Sequence, residues 1–178
     1  MNTKEKIIEI AFRLFLDKGY KNTSMSDLVK ETKLSKGAFY HHFKNKESLY
    51  KEVIDVYFLA YYAQIDWKTA DKLNVAQIEL MIKAFYSSFV PEIMTITQKG
   101  MSRYFIMFFD AYEIYPNFKD IVRNLYQNLK ILLTKAFKEE GKADPEIEAV
   151  RLIAKYEGIL FWFAIYPEEE VARMIKKI

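Results

Sequence analysis

Residues 35–43 read Ser-Lys-Gly-Ala-Phe-Tyr-His-His-Phe, about two helical turns opened by a capping serine. Phe39 and Phe43 lie one turn apart and are expected in a core. Their inward placement leaves Lys36, Gly37, Tyr40, His41 and Lys44 together on the opposite side. Two helices lead into this segment. Ile7, Ile8, Ala11, Leu14 and Phe15 form one face of a helix over about residues 3–18 that stops at Gly19. Ser24 with Asp27 opens a second helix running to about Thr32, with Leu28 and Val29 on its buried side. Three compact helices ending in a basic, aromatic, glycine-containing segment match a helix-turn-helix, the module that fits the major groove of DNA.

The rest of the chain is also helical by period. Asn45 caps a fourth helix whose stripe is Leu49, Val53, Val56, Tyr57, Ala60 and Gln64. Val75, Ile78, Ile82, Phe85 and Phe89 mark a fifth helix, which Pro91 should end or bend. Met101 to Tyr112 gives a sixth, and Phe118 to Ala136 a seventh that stops at Gly141. Asp144-Pro145 starts an eighth running toward Ile165, and Pro167 opens a short terminal helix through the 168–170 glutamates to Lys177. With 5 Gly, 4 Pro and 51% hydrophobic residues, neither disorder nor a turn-rich β fold is favoured. The expected fold is all-α: an N-terminal three-helix helix-turn-helix domain over 1–46 and a helical bundle over 47–178, about nine helices in total.

Composition removes several function classes. There is no Cys, no spaced His pair, no glycine-rich phosphate loop and no HExxH motif, so an enzyme is disfavoured and neither a metal nor a cofactor is expected. His41 and His42 are the two histidines, and neighbours on a helix point ~100° apart, so they cannot share a metal. The N-terminus is charged rather than signal-like, and the longest apolar run, Gly158 to Tyr166, is too short to span a membrane, so a cytoplasmic protein is expected. Residues 1–50 hold ten Lys or Arg against six Asp or Glu, and the remainder 17 against 18. The cationic excess therefore sits in the front quarter, where a polyanion would be met.

Residues 7–50 resemble the DNA-binding domain of TetR-family transcriptional repressors. The matching residues are Ile7-Ile8, Ala11, Leu14-Phe15, Gly19-Tyr20, Thr23, Leu28-Val29 and the run from Ser35 to Glu47. The resemblance implies a homodimer reading a palindromic double-stranded operator, a helical body that binds a small-molecule inducer, and repression relieved by that ligand. The competing class is a ligand-binding helical protein without specific DNA binding. Lys36 suits guanine O6/N7 or phosphate, Gly37 permits close approach to a base edge, and Tyr40 can reach phosphate. The resemblance assigns DNA contacts to His41 and His42, although a packing role for His42 stays open. Lys44 completes the face, and Thr23, Ser24, Ser35 and Lys46 sit at helix starts where phosphates pass, Thr23 and Lys46 being the firmer assignments.

In the body, Tyr57, Tyr61, Phe85, Phe89, Met94, Met101, Phe105, Phe108, Phe109, Tyr112 and Tyr126 each read singly as plain core, but together they exceed what a small bundle needs and suggest a cavity for an apolar or aromatic ligand. Asp110, Glu113 and Glu157 could face a cationic ligand, or pair with Arg103 or Lys155. The eighth helix has two apolar faces, and the one carrying Leu152, Ile153, Tyr156, Leu160 and Phe163 is expected at a dimer interface.

Overall fold

The computed structural model describes residues 2–63, 65–97, 100–167 and 171–177, and of residues 61, 171, 172 and 176 the backbone only. Among them there is no strand, as expected for the all-α class. The helices are α1 (Thr3–Lys18), α2 (Met25–Thr32), α3 (Lys36–His42) and α4 (Lys46–Ile54), which continues through a π-helical turn (Asp55–Leu59) into α5 (Ala60–Ala63). There follow α6 (Trp67–Ala70), α7 (Val75–Ile96), α8 (Met101–Ile114), α9 (Phe118–Glu139), α10 (Pro145–Ile165) and α11 (Val171–Lys177). The glutamates expected to open the last helix lie outside the described residues.

The chain divides into two compact units, one of residues 1–64 with 103–118 and the other of 65–102 with 119–178. The DNA-reading candidate therefore shares its unit with most of α8, a segment far along the sequence. In this unit α1 is opened by an Asn2–Glu5 capping box and closed by Gly19, whose φ of 82° a side chain would resist. Ile7, Ile8, Ala11, Phe12, Phe15 and Leu16 of α1 are buried with Leu28, Phe39, Phe43, Leu49, Tyr50 and Val53. Three residues of α8 close the bottom of that core. Arg103 donates Nε to the Leu16 carbonyl at 2.7 Å and Nη2 to the Asp17 carbonyl, placing a cation on the negative end of the α1 dipole. Asp110 accepts the Tyr20 N–H, and the Met107 carbonyl accepts the buried Tyr50 hydroxyl at 2.7 Å. Burial first, and Glu113 beside it, hold the Asp110 carboxyl above the ordinary carboxylate range, against the pull of Lys21 and the Tyr20 N–H.

A regular 3.6-residue period read through the fourth helix puts Val56 inward, but the structure exposes Val56 and buries Phe58. The π-helical turn is the reason, because its wider turn carries the inward position from Ile54 to Phe58. Phe58 then stacks on Tyr104 at 4.7 Å and Tyr57 on Phe12 at 3.8 Å. The Tyr115 hydroxyl donates to Asp55 at 2.7 Å, and that hydrogen bond, burial and the nearby carboxylate charge push its phenol up to about 12.

In the second unit α7 does not stop at Pro91 but runs on to Ile96. A proline this near the helix end removes one backbone bond, while Val90 and Ile93 on either side are buried and hold the last turn down. Gly100 has φ 62°, and a Cβ built there would stand 2.9 Å from the Pro167 Cβ. Gly100→Ala is therefore expected to lower stability by about 1–3 kcal/mol in urea unfolding, from the sum of backbone strain and overpacking.

Candidate nucleic-acid interface

The α2–α3 pair is built by local chemistry. The Ser24 hydroxyl accepts the Asp27 N–H at 3.1 Å, and the Asp27 carboxylate accepts the Ser24 N–H at 2.9 Å. The Ser24 hydroxyl, donating to Asp27 at 2.6 Å, and the Ser24 N–H together hold the Asp27 carboxyl below its usual range. Lys33 takes a left-handed φ of 57° and turns the chain out of α2. Ser35 then accepts the Ala38 N–H at 3.2 Å to open α3.

Phe39, fully buried, and Phe43 fix which way α3 faces. Lys36, Gly37, Tyr40, His41 and Lys44 are all exposed, Tyr40 by 37%, and His42 is half-buried. A Cβ on Gly37 would meet nothing within 4 Å, so neither packing nor backbone strain in the protein calls for glycine there. Ser24 and Ser35 are exposed at their caps.

Thr23 and Lys46 depart from expectation. Thr23 is 0% exposed and its hydroxyl donates to the Gly19 carbonyl at 2.8 Å, which locks the α1–α2 turn and leaves nothing to offer a phosphate. Lys46 folds back, its Nζ donating to the Tyr20 carbonyl at 2.8 Å and standing 4.1 Å above the Tyr20 ring. Partial burial lowers the affinity of that amine for its proton. Helix-start position alone does not separate such tethered groups from free ones. Tyr20, Arg103 and Asp110 were missed as parts of the same scaffold, because their partners lie too far along the chain for a periodic signal.

The ring-rich set proposed as a ligand cavity divides between the units. Tyr57, Phe105, Phe108, Phe109 and Tyr112 belong to the first, where Phe108 packs edge-on to Phe118 at 5.3 Å. Tyr57 and Phe108 thus serve that unit's own core, while Phe109 and Tyr112 are exposed. Phe85, Phe89, Met94, Met101 and Tyr126 belong to the second, with Phe89 and Met101 fully buried there. The Tyr61 side chain lies outside the described residues. On α10 the face expected at a dimer contact is mostly turned into its own unit: Leu152, Tyr156, Leu160 and Phe163 are buried and Ile153 half-buried. The other apolar face, Ile147, Val150, Ala154, Gly158, Phe161 and Ile165, is exposed along its whole length. Two apolar faces were legible in the sequence, but not which of them the chain covers for itself. Among the described residues no group of His, Asp and Glu could hold a metal, and no helix is long and apolar enough to cross a membrane.

Residues 7–53 match the family model described as bacterial regulatory proteins, tetR family. Over 59 residues the chain is 49% identical to the uncharacterized HTH-type transcriptional regulator YuxN of Bacillus subtilis, a match covering 33% of this chain and 20% of that one. It is 28% identical over 136 residues to IcaR of Staphylococcus aureus, the HTH-type negative transcriptional regulator of the biofilm operon icaADBC, covering 76% of this chain and 70% of that one. A transcriptional regulator of the TerR/AcrR family from Aquifex aeolicus has the same fold, with a TM-score of 0.67 at 24% identity across 99% of this chain and 95% of that one. The helix-turn-helix motif and the family model over it show that residues 7–53 are similar to the N-terminal domain of bacterial regulatory proteins of the tetR family, and the likeness in fold extends over the whole length.

Proposed function

We propose that the chain is a ligand-responsive, DNA-binding transcriptional repressor, a homodimer whose two α3 helices read a palindromic operator and let go when a small inducer binds the helical body. The observation that carries the reading is the α3 surface, where a lysine, a glycine, a tyrosine and a histidine stand free of the protein while two phenylalanines anchor the helix from behind. Lys36 and Lys44 supply charge, Tyr40 a hydroxyl, and Gly37 the absence of a Cβ that lets the backbone approach a base edge. Ser24 and Ser35 at the helix starts offer hydroxyls beside the first free N–H groups. IcaR, a negative transcriptional regulator by name, supports the sign of regulation.

Homodimer formation has its support in α10. A helix that is apolar on two sides and covers one of them itself leaves the exposed face for a second copy. Ala154 and Gly158 near the middle of that face allow close helix approach, and a Cβ on Gly158 would meet nothing within 4 Å in the single chain.

The test is selection of bound genomic fragments by the purified protein, followed by retention assays over a range of salt. Affinity is expected to fall linearly on a log–log plot, with a palindrome retained well above random DNA. Equal retention of all sequences supports the ligand-binding alternative. Gly37→Ala should melt like the wild type yet change the preferred sequence by roughly tenfold at one position per half-site, within the range of a single base contact. Unaltered preference in that variant removes Gly37 from the contact surface.

A further inference from the structure

The helix over residues 46–63 holds one residue more than a regular α-helix has over the same turns. The Ala60 N–H returns to the Asp55 carbonyl, a step of five, while Ile54 and Ala60 on either side keep ordinary α angles, φ −63° and −60°. Such turns are rare, so packing must favour this one over the α turn it replaces. Ring contacts do so. Phe58 is buried, its ring 4.7 Å from Tyr104 with the planes 5° apart and 6.3 Å from Phe108, and Tyr57 lies on Phe12 at 3.8 Å, 9° from parallel. Val56 is left exposed.

The sequence also supplies the alternative. Rings stand in adjacent pairs, Tyr57 with Phe58 and, four residues on, Tyr61 with Tyr62. If the turn closes as α, the residues after it rotate back by ~100°, the angle of one residue. Tyr57, which a regular period places on the inward stripe, then takes the place of Phe58, and ring replaces ring on Tyr104. In most helices a slip of one residue brings a polar side chain inward. Here it costs the burial of one phenol hydroxyl and the stack on Phe12, which sets the α register above the π register without forbidding it. The slip is local, because Leu49, Tyr50, Val53 and Ile54 hold the preceding turns in the core and the helix ends at Ala63.

We propose that the turn at 55–59 is a register switch, in which residues 56–63 slip by one between the π register, with Phe58 on Tyr104, and an α register, with Tyr57 there. Its use rests on the reading of the chain as a DNA-binding regulator. Tyr104 adjoins Arg103, whose guanidinium holds the last carbonyls of α1, and Asp110, which accepts the Tyr20 N–H, follows two residues after Phe108. The ring seated on α8 therefore bears on the helix that anchors the DNA-reading unit, and a slip changes that seat without unfolding the unit.

A fluorinated ring placed at position 57 or at position 58 of the full chain, one at a time, reads the register by fluorine NMR, since the shift on moving from light to heavy water marks exposure. Exchange on the microsecond to millisecond scale is expected. In the minor state the ring at 58 is more exposed and the ring at 57 more buried, with one population and one rate for both. Tyr57→Phe removes the hydroxyl that the α register buries and should raise the minor population about fivefold or more. Should that chain not melt cooperatively, Phe12→Leu, which weakens the stack on Tyr57, replaces it with the same expected rise. An unchanged population in the variant, no exchange in it at either position, or two rings that become exposed together, as in fraying, overturns the proposal. DNA retention is measured separately on the same protein. Retention of a palindrome without exchange sinks the switch alone, whereas exchange in a chain that retains no specific DNA sinks the regulator reading and leaves the switch standing.

Discussion

Phe161→Glu is expected to turn the protein into a folded monomer that has lost specific DNA retention by a factor of a hundred or more. Phe161 is 60% exposed in the single chain, so a charge placed there stays largely in water in the monomer. In a dimer closed through the exposed face of α10 the same position is desolvated, and two carboxylates brought together across a twofold axis oppose association twice over. Operator binding suffers because a palindrome is read by two modules at once, and a single module contacts half the phosphates and half the bases. Sizing chromatography with light scattering checks the first half of the expectation, and a retention assay the second. Leu152→Glu is the contrasting variant. Leu152 is buried in its own unit, so it should lower the melting temperature of the chain itself rather than shift a folded dimer to a folded monomer. A Phe161→Glu protein that stays dimeric at micromolar concentration would move the interface away from α10.

The contrast between Phe161 and Leu152 also shows what a sequence can and cannot carry. Periodicity showed two apolar faces on α10, because 3.6-residue spacing is a property of the helix alone. Which face the chain buries depends on where α7 and α9 pack, a long-range choice with no local signature. The same division runs through the DNA module. Caps at Ser24, Ser35 and Asn45, the stop at Gly19 and the inward pair Phe39 and Phe43 all follow from neighbours within four positions. The fate of Lys46 does not, because its partner carbonyl is 26 residues away, and the Arg103 contact with α1 spans 86 and 87. The π-helical turn at 55–59 escaped for a different reason. It changes the period itself, so a regular pattern read through it moves every later residue to the wrong face, as Val56 and Phe58 show.

Phe39→Ala is the second large effect, and it reaches function through stability. α3 has seven residues, too few to hold together in water by backbone hydrogen bonds, and Phe39 is its one fully buried side chain. Removing a buried ring costs about 3–5 kcal/mol, a large part of the whole stability of a small domain. The expected result is a lower urea midpoint and lost DNA retention. Phe39→Leu separates anchoring from contact. It keeps most of the buried surface and none of the ring, so it should recover most of the stability and, with α3 again held in place, most of the DNA affinity. Were Phe39→Leu to fold as firmly as wild type and still fail to retain DNA, the ring would have a role at the nucleic acid itself. The exposed residues of α3 would then no longer account for recognition, since Phe39 is 0% exposed and reaches DNA only if α3 leaves the position it has here.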